Sequence, residues 1–201
     1  GEILLDGKNI ESISKKELRE AIGIVLQDSV LFSDTIESNI AFASEASDTE
    51  LAGQAAKMSD VHDNIMEFSQ GYQTVLGERG VTVSGGQKQR ISIARALMKD
   101  ANILILDDSV SAVDVSTEKV ILENLRRIRE GKTTILIAHR ITTVEKMDKI
   151  LFIDEGRLVD MGTHAELVER CREYADLVKL QRLEEEKANY GKEPAEVPAQ
   201  A

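Results

Sequence analysis

Tryptophan is absent from this 201-residue chain, and aromatic residues make up only 3% of it. Stacking platforms for single-stranded nucleic acid depend on such rings, so that class of binder is not expected. Positive charge is also scarce: 25 Lys and Arg face 36 Asp and Glu, a formal net charge of -11. A chain this acidic lacks the basic face that gives duplex binders their affinity, and no nucleic-acid partner is expected. The single cysteine, Cys171, can form no internal disulfide and has no neighbours at metal-ligand spacing, which fits a reducing compartment. No apolar run approaches the length needed to cross a bilayer. The first six residues read as a strand, not as a charged start leading into an apolar secretory segment. With Gly in place of an initiator Met, this start suggests a chain that begins inside a domain.

What is present is 42% hydrophobic, enough for one domain with a sizeable core. Short apolar runs at residues 2–5, 22–26, 103–106, 133–138 and 149–153 read as strands. Asp6-Gly7-Lys8-Asn9 is turn chemistry. The strands at 103–106, 133–138 and 149–153 are almost continuously apolar, which predicts burial on both faces in a parallel sheet. Helices alternate with them. Residues 87–98 place Ile91, Ala94 and Met98 on one side; residues 117–129 place Ile121, Leu125 and Ile128, with Ser116 as the expected N-cap and Gly131 at the exit. Residues 47–71 carry Leu51, Ala55 and Met58 at helical spacing and read as a helical insert. The alternation predicts right-handed βαβ units and an α/β core. Glu155-Gly156 reads as a tight turn between two late strands, and Thr163-His164-Ala165-Glu166 as a capping box. Tyr174, Leu177 and Val178 continue a helical stripe. Residues 184–201 turn to charge and hold the only two prolines, Pro194 and Pro198, so a disordered tail is expected there.

The chemistry concentrates in two places. Ser84-Gly85-Gly86-Gln87 has the form of a capping box, but a box does not require glycines, each of which costs up to about 1 kcal/mol in a helix. Glycine suits a tip that another molecule approaches closely, with free N–H groups and the positive helix end aimed at an anion. Downstream, Leu104-Ile105-Leu106 runs into Asp107-Asp108. Carboxylates at the C-terminal end of such a strand are placed to serve a metal and a nucleotide. One would hold Mg²⁺ and the other would orient a water, since neighbouring strand residues point in opposite directions. Gln27 and His139 each follow a strand, and the Gln27 amide oxygen could reach a metal or water. Asp114 closes a loop that starts at Ser109. Gly131-Lys132-Thr133 imitates the end of a phosphate loop but is rejected, because Arg126 stands where that pattern needs Gly and the segment enters a strand.

In this order the motifs resemble the nucleotide-binding domain of an ATP-binding cassette (ABC) exporter. Residues 83–87 resemble the family's signature motif, with Val83 in place of the usual Leu. Residues 103–107 resemble its Walker B strand, Ser111-Ala112-Val113-Asp114 its D-loop, His139 its switch histidine and Gln27 its Q-loop glutamine. Glu78-Arg79-Gly80 resembles the exporter segment that touches the membrane-domain coupling helices, and Leu31 to Ile36 with Asn39-Ile40 also look exporter-like. The resemblance covers the chain from Gly1 to about Gln181. It implies an α/β, P-loop NTPase-like parallel sheet flanked by helices, a helical signature subdomain at about residues 40–100 and a C-terminal helical extension, together spanning residues 1–183. The implied activity is ATP hydrolysis driving export. ATP and Mg²⁺ would bind through Gln27, Ser84, Gly85, Gly86, Gln87, Asp107 and Asp114, with Gln27 and Asp107 at the metal and Asp108 and His139 catalytic. The implied partners are a second nucleotide-binding domain and a transmembrane domain of the same polypeptide, at the cytoplasmic face of the cell membrane.

Two departures from the family pattern shape the expectation. No G-x-x-x-x-G-K-[ST] phosphate loop occurs, and in this family that loop precedes the strand found here at Gly1. The resemblance therefore implies the C-terminal part of a longer transporter, inactive as an isolated piece. Secondly, Asp108 occupies the position where hydrolytic members carry Glu. A carboxylate one methylene shorter forfeits much of the roughly 10²–10⁴-fold due to a positioned base. Asp here resembles one half of a heterodimeric exporter, whose own site is degenerate and whose signature motif completes the partner's. A homodimeric exporter with a sufficient Asp base, and a soluble cassette ATPase, remain as alternatives at this stage.

Overall fold

The computed structural model describes residues 1–42, 44, 49–77 and 83–190, with side chains to 187. Glu78-Arg79-Gly80 and the tail from 191 onward lie outside the described residues. The chain forms two compact units, residues 1–138 and 139–201.

The first unit opens with a minimal antiparallel pair, β1 (Leu4–Leu5) and β2 (Lys8–Asn9). Helix α1 (Lys15–Ala21) follows, started by a capping box between Ser14 and Glu17. The central sheet has the order β3-β4-β5, from β3 (Ile22–Val25), β4 (Ile103–Asp107) and β5 (Thr133–Ile137). Both pairings are parallel, with Val25 beside Leu106 and Asp107 beside Ile137. Parallel neighbours need long crossovers. Here α2 (Ile36–Ala41), α3 (Thr49–Met58), α4 (His62–Met66) and α5 (Gly85–Met98) join β3 to β4, and α6 (Val115–Ile128) joins β4 to β5.

Helix α5 is the spine, because it contributes to two cores. Ile91 and Ala94 pack with Ile36, Ile40, Ala52, Ala56 and Ile65 of the helical layer. Ile93 and Ala96 pack with Leu104, Leu106, Ile121 and Leu125 over the sheet. Each large side chain buried in this way is worth roughly 1.5–3 kcal/mol relative to exposure. The helical insert read from residues 47–71 is thus α3 and α4, anchored on α5. Asn39, fully buried, ties the approach to α2: its Nδ2 donates to Phe32 O at 3.0 Å and Thr35 O at 2.9 Å, and its Oδ1 accepts from Phe32 N at 2.8 Å. Arg95 of α5 donates to Asn39 O at 2.7 Å and lies near the rings of Phe32 and Phe42.

Three expectations are corrected. The sheet is buried on one face; Ile24, Ile135 and Ile137 on the other are 53%, 48% and 44% exposed among the described residues. Apolar character alone marks a strand suited to two-sided burial, and whether a face is covered depends on what packs against it. The strand read at 149–153 does not join the parallel sheet. Finally, α6 is capped by Asp114, not by Ser116: Asp114 Oδ1 accepts from Ser116 N and Thr117 N at 3.0 and 3.1 Å. Aspartate and serine are both good caps, and the loop geometry chose the earlier one.

The second unit contains α7 (Ile141–Val144), the antiparallel pair β6 (Ile150–Asp154) and β7 (Arg157–Gly162), α8 (His164–Arg170) and α9 (Arg172–Tyr190). Glu155 and Gly156, with φ of 45° and 72°, make the tight β6–β7 turn, where two successive left-handed residues match the twist of the strands. Thr163 and Glu166 form the expected capping box. Ile150, Leu167, Tyr174 and Val178 close the core. Helix α9 runs to Tyr190, into the stretch expected as tail. Residues 184–187 continue it with Glu184, Glu185, Glu186 and Lys187, good helix formers whose charge faces water.

Candidate functional site

The parallel register brings the C-terminal ends of β3 and β4 side by side. Gln27 lies two residues beyond β3, and its Nε2 donates to Asp108 Oδ2 at 3.4 Å. Asp107 is the last residue of β4 and Asp108 the first beyond it. Asp108 has φ of 44°, a left-handed conformation that Asp tolerates better than most residues. Its N–H still reaches Ile137 O at 3.0 Å, which extends the β4–β5 ladder by one step. Its carbonyl accepts from Ser111 Oγ at 2.8 Å. The chain therefore turns sharply at Asp108, and both acids stay half-buried at the sheet edge. Ser109, fully buried, has a hydroxyl without a hydrogen-bond partner among the described residues.

The second element is the tip of α5. The capping box is complete: Ser84 Oγ accepts from Gln87 N at 3.2 Å, and Gln87 Oε1 accepts from Ser84 N at 2.9 Å. Lys88 N–H goes to Ser84 O. The amides of Gly85 and Gly86 are thereby left as the first-turn donors that a helix cannot satisfy itself. The two glycines differ in surroundings. Among the described residues, a methyl group on Gly85 would meet nothing within 4 Å, whereas one on Gly86 would stand 3.2 Å from Ala112 O and 3.6 Å from Val113 Cγ1. The sequence attributes both glycines to an approaching molecule; in the structure only Gly85 faces open space, and Gly86 is required by the loop at 111–114.

Asp114, at the end of that loop, spends Oδ1 on the α6 cap. The Ser116 hydroxyl, and then the Thr117 amide, hold its carboxyl well below the usual carboxylate range. His139, exposed, belongs to the second unit, where its carbonyl accepts from Gln181 Nε2 at 2.8 Å. The structure thus brings together Gln27 with Asp108, and Gly86 with the loop that ends in Asp114. Gln89 was missed from sequence. It is buried on the sheet side of α5 and accepts from Ala112 N at 3.1 Å. Its spacing to Ile93 and Ala96, a polar residue on an apolar stripe, was the available signal.

Comparison with known proteins now decides the lineage. The family described as ABC transporter matches residues 1–111. The chain belongs to the ABC transporter family. A Staphylococcus aureus relative, named for multidrug export as an ATP-binding/permease protein, is 45% identical over 183 residues, covering 91% of this chain and 32% of its own length. The ATP-dependent lipid A-core flippase of Hahella chejuensis is 48% identical over 182 residues, covering 90% of this chain and 31% of its own. A solved structure of a bacterial Atm1-family ABC exporter with ATP bound superposes with a TM-score of 0.88 at 44% identity, covering 90% of this chain and 32% of that one. This ABC transporter chain therefore spans about a third of the length of those relatives. Among its described residues, no helix is long and apolar enough to cross a membrane.

The oxygen donors fit a hard cation. Asp107 offers a carboxylate and Gln27 an amide oxygen, the ligand types Mg²⁺ takes. No group of three or more His, Cys, Asp or Glu side chains able to hold a metal occurs among the described residues.

Proposed function

We propose that this ABC transporter chain forms part of a half-transporter that pairs with a different half-transporter, sandwiching ATP between the two nucleotide-binding domains. The first-turn amides of Gly85 and Gly86, with Ser84 and Gln87, grip the γ-phosphate of ATP held by the partner. The open space around Gly85 among the described residues supports this, since none of them stands where a phosphate would approach. At this chain's own site, Asp107 and the Gln27 amide oxygen hold Mg²⁺, whose chemistry is to neutralise developing phosphate charge. Asp108 orients the attacking water weakly, and His139 contacts the γ-phosphate. Asp114 contributes through its loop.

The observation that carries the reading is Asp108, an aspartate in a left-handed turn directly after β4, one methylene shorter than glutamate. Hydrolysis at the partner's site would then switch the membrane domains at the cytoplasmic face of the membrane. The names of the relatives, multidrug export and lipid A-core flipping, make amphipathic molecules the proposed cargo. The decisive measurement is ATP turnover by the reconstituted pair. Asp108→Asn should leave most turnover intact, whereas disabling the partner's glutamate should abolish it. Equal loss from both would refute the degenerate-site assignment, and turnover by this polypeptide alone would favour a homodimer.

A further inference from the structure

We propose that Gln89 is a positioning residue that latches the tip of α5 to the loop at residues 111–114, so that the phosphate-gripping tip and the loop after the acidic pair move as one body. This rests on the sandwich reading above. Three observations converge on the contact. Gln89 is 7% exposed, and its Oε1 receives the Ala112 amide at 3.1 Å. A buried acceptor of this kind is costly to leave unmade. Gly86, one turn earlier, lets Ala112 O come within 3.2 Å of where a Cβ would stand. Val113, beside Ala112, is buried in the same core as Ile93 and Ala96 of α5.

The loop residue is therefore held at its N–H by Gln89, while its carbonyl packs closely over Gly86. The opposite end of the same loop starts at Asp108, whose carbonyl receives Ser111 Oγ. The path from the acidic pair to the helix tip is short and made of packed atoms. Closure onto ATP at the tip would be felt at the loop without rearrangement of the sheet. Nothing in this contact requires nucleotide, so it can be tested whether or not the transporter turns over.

Gln89→Leu removes the acceptor and keeps the volume, while Gln89→Glu keeps an acceptor. The full transporter polypeptide would be examined by hydrogen exchange on peptides spanning residues 108–115, and by steady-state ATPase in the reconstituted pair. Gln89→Leu should exchange about 10-fold faster at Ala112, the upper range for one lost hydrogen bond. Its kcat should fall about 10-fold with KM for ATP within about twofold, since the loop is misplaced while the tip still binds. Gln89→Glu should restore both. Gly86→Ala should also speed exchange at Ala112, and Gly85→Ala should not. Unchanged exchange in Gln89→Leu would overturn the latch. Faster exchange with unchanged kcat would leave a structural contact and overturn the positioning role. A wild-type pair without ATPase would sink the sandwich reading instead, and the exchange comparison would still decide the latch.

Discussion

Gln27 and Asp108 are 81 residues apart in the chain, yet the Gln27 side-chain amide donates to the Asp108 carboxylate at 3.4 Å. The parallel register that pairs Val25 with Leu106 places them together. The bond is long and therefore weak, so a metal or a water can take over either group. The left-handed turn at Asp108 is the stronger constraint, because it fixes where the carboxylate begins.

Asp108→Glu should raise hydrolysis at this chain's own site. Extending the carboxylate by one methylene brings it toward the attacking water, and a correctly placed base is worth roughly 10²–10⁴-fold. At least about a 10-fold gain is expected, measured as ATPase of the reconstituted pair with the partner's glutamate disabled.

Ser109→Ala should stabilise the first unit. The buried hydroxyl of Ser109 has no partner among the described residues, and an unsatisfied buried group of this kind costs about 1–3 kcal/mol. A gain of about 1 kcal/mol corresponds to a rise in Tm of about 2–4 °C for a chain of this size, read by thermal denaturation. A decrease would mean that the hydroxyl holds water or ligand.

Arg129→Met should be costly. The guanidinium, 7% exposed, donates to Ala101 O at 2.7 Å, Asn102 O at 3.0 Å and Thr133 O at 2.9 Å, clamping the start of β4 to the start of β5. Removing it takes the donor from the carbonyl of buried Ala101 and two further bonds from the strand ends, and a loss of about 3 kcal/mol in urea unfolding is expected, with Arg129→Lys recovering part of it.

Acid should weaken the cap of α6. The carboxyl of Asp114 is depressed in the folded chain, first by the Ser116 hydroxyl and then by the Thr117 amide, from its ordinary value of 3.8. The unfolded chain then binds the proton more readily. The stabilisation is fully present above that value and is lost as pH falls below it. Asp114→Asn should lessen the fall in the urea midpoint of the first unit between about pH 5 and about pH 2, leaving the part due to Glu17, whose carboxyl Ser14 lowers. Asp160, lowered by Arg170, and Glu166, lowered by Thr163, should keep the second unit acid-sensitive in both proteins.

Much of the molecule was legible in the chain because its signals are local. Capping boxes at Ser84 and Thr163 need only four residues, and both form as read. The strands at 22–26, 103–106 and 133–138 announced themselves by nearly continuous apolar runs. What misled was the extension of that rule to residues 149–153. A hairpin strand with exposed Leu151 and Ile153 looks the same in sequence as a buried parallel one. The cap of α6 failed for a similar reason, since two competent residues lay within one turn and only the path of the loop distinguishes them.

The sequence by itself determined the order of motifs, and with it the family and the chemical types at the proposed nucleotide site. Each motif is a contiguous run whose backbone demands are met within a few residues. Tertiary structure decided which of those residues meet. It set Gln27 against Asp108, gave Gly86 and Gly85 separate reasons to be glycine, and put Gln89 under the amide of Ala112. Such contacts depend on strand register and on the way α5 lies across two cores, and long-range packing of that kind leaves little trace in local composition.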